Sequence, residues 1–176
     1  MHNLYMSYRK MYEALGIKNI DQLLPPPPPP QPKDPALEHI DAMSMKPFQA
    51  YPKQDHRAHI TAHMNFMATN FVRNNPPIMA SLEKNIFEHI SLMAQEHVEL
   101  EFAQQIMEVK KAQSQGAGGP QMQQQLQELN LQMEARKAVL IAEFTEEFMA
   151  QEKQITSMLD SDPLIKLKAQ EVDLKA

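Results

Sequence analysis

Apolar residues recur at steps of three and four along most of this chain, the period of helices that each bury one face. The stretch from Lys53 to Met107 shows the pattern most fully. Its upstream part carries Ile60, Met64, Met67 and Phe71, and its downstream part Leu82, Ile86, Ile90, Met93, His97, Leu100 and Met107. Between them stands Asn74-Asn75-Pro76-Pro77, which breaks a helix and leaves little chain for a connection. The pattern therefore predicts two antiparallel neighbours joined at that hinge. Pairing outward from the hinge sets His63 beside His89 and His56 beside His97.

No breaker interrupts Ser81 to Ser114, so this arm is expected as one helix about 50 Å long, at roughly 1.5 Å per residue. Gln115-Gly116-Ala117-Gly118-Gly119-Pro120 ends it and starts the next. From Gln121 to Met158, apolar positions from Met122 through Leu126, Leu129, Met133, Leu140, Phe144, Phe148 and Ile155 keep steps of three, four or seven. Glutamine and glutamate fill most positions between, as in a helix that folds back on its predecessor.

The ends follow the same grammar. Residues 2–15 place Leu4, Tyr8, Met11 and Leu15 on one helical face, with Gly16 set to end it. Ile17, Ile20, Leu23 and Leu24 add a further apolar patch. A helix this short has no cover for such a face within its own segment, which makes Leu4, Tyr8, Met11 and Leu15 a candidate oligomer interface. Pro25 to Pro30 form an unbroken run, extended by Pro32 and Pro35, and the polyproline II geometry expected of it makes a stiff spacer about 20 Å long. Asp34-Pro35 is a cap-and-start signal for a helix bearing Leu37, Ile40 and Met43. Asp162-Pro163 is another, for a short terminal helix with Leu164, Leu167 and Val172. The fold expected is all-α: long antiparallel, coiled-coil-like helical hairpins with an N-terminal helix and a polyproline spacer. The divisions expected are residues 1–24, an amphipathic helix; 25–35, the linker; 36–160, the hairpin domain; and 161–176, a short helical tail.

Composition narrows the function. With four glycines, no cysteine and few aromatics, the chain suits neither an all-β fold nor a disulfide-stapled module. A formal charge of −5 argues against generic binding to nucleic acid or to an anionic membrane, and no apolar run approaches a membrane span. Nucleophile elbows, phosphate-binding loops and dinucleotide fingerprints are all missing from the sequence, so neither an enzyme nor a cofactor is expected.

Histidine is the one chemical signal. Five of the seven, His56, His59, His63, His89 and His97, fall in the central stretch, with Asp55 and Glu96 close by. His59 and His63 stand four apart, the spacing at which one helix face offers two metal ligands. Spacing alone rarely implies ligation, and rings at a helix seam also hydrogen-bond to one another. The five are therefore metal candidates only, and no metal site is assigned.

Several segments together resemble a family. They are Tyr8-Arg9-Lys10-Met11-Tyr12-Glu13-Ala14-Leu15-Gly16, Asn19-Ile20-Asp21 before the proline run, and Lys46-Pro47-Phe48-Gln49-Ala50-Tyr51-Pro52. To these add Gln54-Asp55-His56, Ala58-His59-Ile60 with His63, and Asp162-Pro163-Leu164-Ile165-Lys166-Leu167-Lys168. The set resembles the C-terminal part of portal (head–tail connector) proteins of tailed bacteriophages, over nearly the whole chain. The resemblance implies a structural virion protein at the capsid vertex, part of a homo-oligomeric ring with the remaining portal body. Double-stranded DNA passes through such a ring without specific binding during packaging and ejection, and capsid and tail-completion proteins adjoin it. Portal proteins are several times longer, and their wing, stem and clip regions have no counterpart in these residues. A split or truncated portal is thus implied, soluble in the host cytoplasm during assembly. A free-standing helical scaffolding or adaptor protein is the alternative, and a metal-binding helical hairpin the third reading.

Overall fold

In the computed structural model, which describes residues 4–26, 31–115 and 119–161, all regular structure is helical. The chain divides into two compact units, Met1–Gln31 and Pro32–Ala176.

The first unit holds α1 (Leu4–Ala14) and α2 (Ile20–Leu23). Gly16 ends α1 as its sequence position requires. Its φ is 69°, and the Ile17 amide turns back to the Tyr12 carbonyl at 3.1 Å, the six-to-one bond of a glycine-terminated helix. Arg9 joins the two helices by donating to Asp21 at 2.7 Å. Neither helix buries a residue. Leu4, Tyr8, Met11 and Leu15 are all exposed, Leu15 at 72%.

The second unit contains α3 (Pro35–Met43), α4 (His56–Met67), α5 (Asn70–Arg73), α6 (Pro76–Glu101), α7 (Ala103–Ser114) and α8 (Pro120–Ser161). Asp34 caps α3, its carboxylate accepting from the Ala36 amide at 2.8 Å, and Pro35 fills the first helical position. Pro76 and Pro120 likewise open α6 and α8. A proline at the first helical position loses no intrahelical hydrogen bond, which suits it to a helix start.

α6 lies at the centre, packed against both α4 and α8. One apolar cluster joins Ile60 and Met64 to Ile90, Met93, Ala94 and Val98, and to Leu140, Phe144 and Phe148 of α8. A second joins Ala42, Met67, Val72, Ile78 and Leu82. Ile86 is only half-buried and packs against both. Ion pairs cross the outside of the bundle: Arg57 donates twice to Glu147, and Arg136 twice to Glu101.

Four expectations need correction. Thr69 caps a new helix, and this resets the helical phase, so Val72 is buried and Phe71 exposed. The arm from Ser81 to Ser114 is not one helix, because Phe102 leaves helical geometry at φ −96°, ψ 9°. Its ring packs against the first apolar cluster, while Leu100 is 78% exposed and Met107 is exposed too. No residue of α7 is buried. On α3 the apolar face is inverted. Leu37, Ile40 and Met43 face solvent, whereas Glu38, Asp41 and Ala42 are buried. Most of the proline run (residues 27–30) and the helix expected after Asp162 lie outside the described residues. No helix of the described residues is long and apolar enough to cross a membrane.

Candidate functional site

The inversion of α3 carries Glu38 into a nest of imidazoles supplied by α4 and α6. Glu38 is 1% exposed, and His63 and His89 are both 0% exposed. His56 and His59 are buried beside them. Asp55 starts α4 by capping it, accepting from the Ala58 amide at 3.1 Å, and this sets the phase that turns His56, His59 and His63 inward.

The hydrogen bonds fix much of the proton arrangement. The Tyr51 amide donates to Gln54 Oε1 at 2.7 Å, so the Gln54 amino group faces His59 Nε2, 3.4 Å away. Nε2 of His59 is therefore an acceptor, and its Nδ1–H donates to Glu38 Oε2 at 3.0 Å. His63 meets the half-buried His39 through its Nδ1, 2.9 Å from His39 Nε2. His89 meets His56 with the two Nδ1 atoms 2.8 Å apart, and Nε2 of His56 lies 3.4 Å from Glu96 Oε1.

Besides His56 Nε2 and Asn85 Oδ1, three atoms in this nest remain over. Among the described residues, Glu38 Oε1, His63 Nε2 and His89 Nε2 are buried without a hydrogen-bond partner. His63 Nε2 lies 3.2 Å from Glu38 Oε2 but is not aligned to bond with it. One ligand atom from each of Glu38, His59, His63 and His89 falls within 4.8 Å of the others.

Burial governs the charge here. It pushes the His89 imidazole down to about 3, helped by the neighbouring His59, His56 and His63. It pushes His39 down to about 4, with His63 adding to the effect. Both rings are neutral at neutral pH and offer lone pairs. Three imidazole nitrogens and one carboxylate oxygen are a donor set suited to a borderline divalent ion.

Of the five histidine candidates, His59, His63 and His89 converge. His63 and His89 stand with ring centroids 6.0 Å apart. His56 contacts His89 and Glu96, one step outside the four-ligand group. His97 is a correction: it is exposed and its ring lies against Phe144 of α8, 5.4 Å between centroids, so Glu96 takes the place expected for it beside His56. Glu38 and His39 escaped sequence reasoning, because the apolar stripe of α3 points to the opposite face. Nothing local marks Glu38, since a glutamate near a helix start is usually solvated.

The connector before α4 is held by carboxylates of α6. The Ala50 amide donates to Glu88 at 3.1 Å, and the Lys53 amide, from a residue at φ 66°, donates to Glu96 at 2.6 Å. Comparison of the chain with protein-family models, characterised proteins and solved structures found no match.

Proposed function

We propose that this chain is a structural, non-catalytic part of a homo-oligomeric ring, the C-terminal helical portion of a tailed-phage portal protein at the capsid vertex. The observation that carries the reading is the face of Leu4, Tyr8, Met11 and Leu15, exposed on a unit whose helices bury nothing. Four large apolar side chains at helical spacing favour a partner, and neighbouring copies of the chain are the partner that closes a ring. The arm of α7 with the start of α8 adds to it. Met107 of α7 and Leu131 of α8 are exposed as well, and copies packed side by side in a crown would cover them. The segments that resemble portal proteins supply the identity of the ring, and with it the passage of DNA and the contacts to tail-completion proteins.

Light scattering and negative-stain imaging of the chain, alone and fused to the upstream reading frame, test this. The expected result is self-association of the chain alone and closed rings for the longer polypeptide. A chain that stays monomeric in both forms overturns the ring and favours the free-standing adaptor.

A further inference from the structure

We propose that Glu38, His59, His63 and His89 bind one divalent transition-metal ion of the zinc type, which fastens α3 to α4 and α6. The inference concerns the interior of one chain and does not depend on whether chains form rings.

Three independent features carry it. First, the four residues come from three helices, yet present one ligand atom each within 4.8 Å. A four-coordinate zinc holds its ligands at roughly 2.0–2.2 Å, so small side-chain movements close the group on an ion. Second, three of the four residues hold a buried polar atom with no partner among the described residues: Glu38 Oε1, His63 Nε2 and His89 Nε2. Unpaired buried acceptors are costly, above all on a carboxylate, and a cation satisfies all three together. Third, the outer ring nitrogens are already occupied. His63 Nδ1 is turned to His39, and His89 Nδ1 to His56, which in turn faces Glu96. Ligation through Nε2 leaves the proton on Nδ1, where each ring has an acceptor waiting. Histidine ligands commonly show this outer support.

His59 completes the set through Nδ1. Its proton passes from Nδ1 to Nε2 while the Gln54 amino group keeps its bond to the Lys33 carbonyl at 3.2 Å, and the Glu38 carboxylate binds the ion in place of the His59 N–H. The inverted docking of α3 fits the same chemistry. Leu37 and Ile40 are both 52% exposed, while the face turned inward carries Glu38 together with Ala42 of the second apolar cluster, so a metal ligand at Glu38 would add to what seats the helix.

The test uses the full chain without a histidine tag, purified from medium supplemented with zinc. Elemental analysis should find stoichiometric zinc, and after chelation, added Zn2+ should raise the melting temperature. Co2+ in its place should give the strong visible absorption of a four-coordinate site. His63→Gln and His89→Gln should each abolish stoichiometric binding, whereas His97→Gln should leave it unchanged. His39→Phe, which removes an outer partner only, should weaken binding about 10–100-fold. If either ligand variant fails to fold, Glu38→Gln carries the test, with circular dichroism confirming its helices. Absence of both zinc and a thermal shift in the parent chain overturns the site. So does undiminished zinc in a folded Glu38→Gln, His63→Gln or His89→Gln variant.

Discussion

Ile60 and Leu82 are fully buried, one in each apolar cluster, and they show what a single side chain contributes to this bundle. Truncating either to alanine removes buried methyl groups and leaves a cavity, so Ile60→Ala or Leu82→Ala should destabilise by about 2–5 kcal/mol in urea denaturation. Phe71→Ala should stay within about 0.5 kcal/mol, because its ring is exposed. At the surface, Arg57 combines two hydrogen bonds to Glu147 with a position over Phe144 and Phe148. Both charged groups are about half exposed, so Arg57→Ala should cost only about 0.2–1 kcal/mol. The guanidinium holds the Glu147 carboxyl below its ordinary value. The contribution of the pair is therefore present above the ordinary glutamate range and is lost as pH falls through the lower folded value. An acid titration of the parent against Arg57→Ala should show the two stabilities converging at low pH.

Helix α3 shows how an element can obey its own start signal and still contradict its apolar pattern. The cap at Asp34 is local, so Asp34→Ala should cost about 1 kcal/mol by thermal melting. Orientation is not local. Leu37, Ile40 and Met43 form a short stripe, but the opposite face holds Ala42 in the second cluster and Glu38 among the histidines. Asp41 also pairs with Lys33. Ile40→Gln should accordingly leave the melting temperature of the isolated chain unchanged, since the residue already faces solvent. The same distinction explains α6 and α7. No proline or glycine marks Phe102, and its departure from helical geometry accompanies packing of its ring on the first cluster.

On the scale of the whole molecule, the exposed apolar residues of α1 are the surface on which the proposed association rests. Removing apolar surface from water contributes about 25 cal/mol per Å², so a few hundred Å² shared between copies supplies several kcal/mol toward association. A double variant, Leu4→Ser with Met11→Ser, should shift the light-scattering mass toward that of a single chain. Its helicity should not change, because neither side chain is buried. A mass unaffected by the double variant would move the association surface to the arm of α7 and α8.

The sequence by itself determined the all-helical class and several helix starts and stops: Gly16, Asp34-Pro35, the hinge at Asn74–Pro77 and Pro120. It also determined the seam positions Ile60, Met64, Leu82, Ile90, Met93, Leu140, Phe144 and Phe148, all of them buried. These depend on caps, proline geometry and helical period, which act within a few residues of themselves. Tertiary structure alone decided that α3 docks by its carboxylates, that His97 turns away to Phe144, and that Glu38 joins His59, His63 and His89. A helix carries several faces, and which one turns inward is set by the sum of what its neighbours present. For α3 those neighbours lie 21 to 51 positions further along the chain, at His59, His63 and His89, beyond the reach of any local pattern.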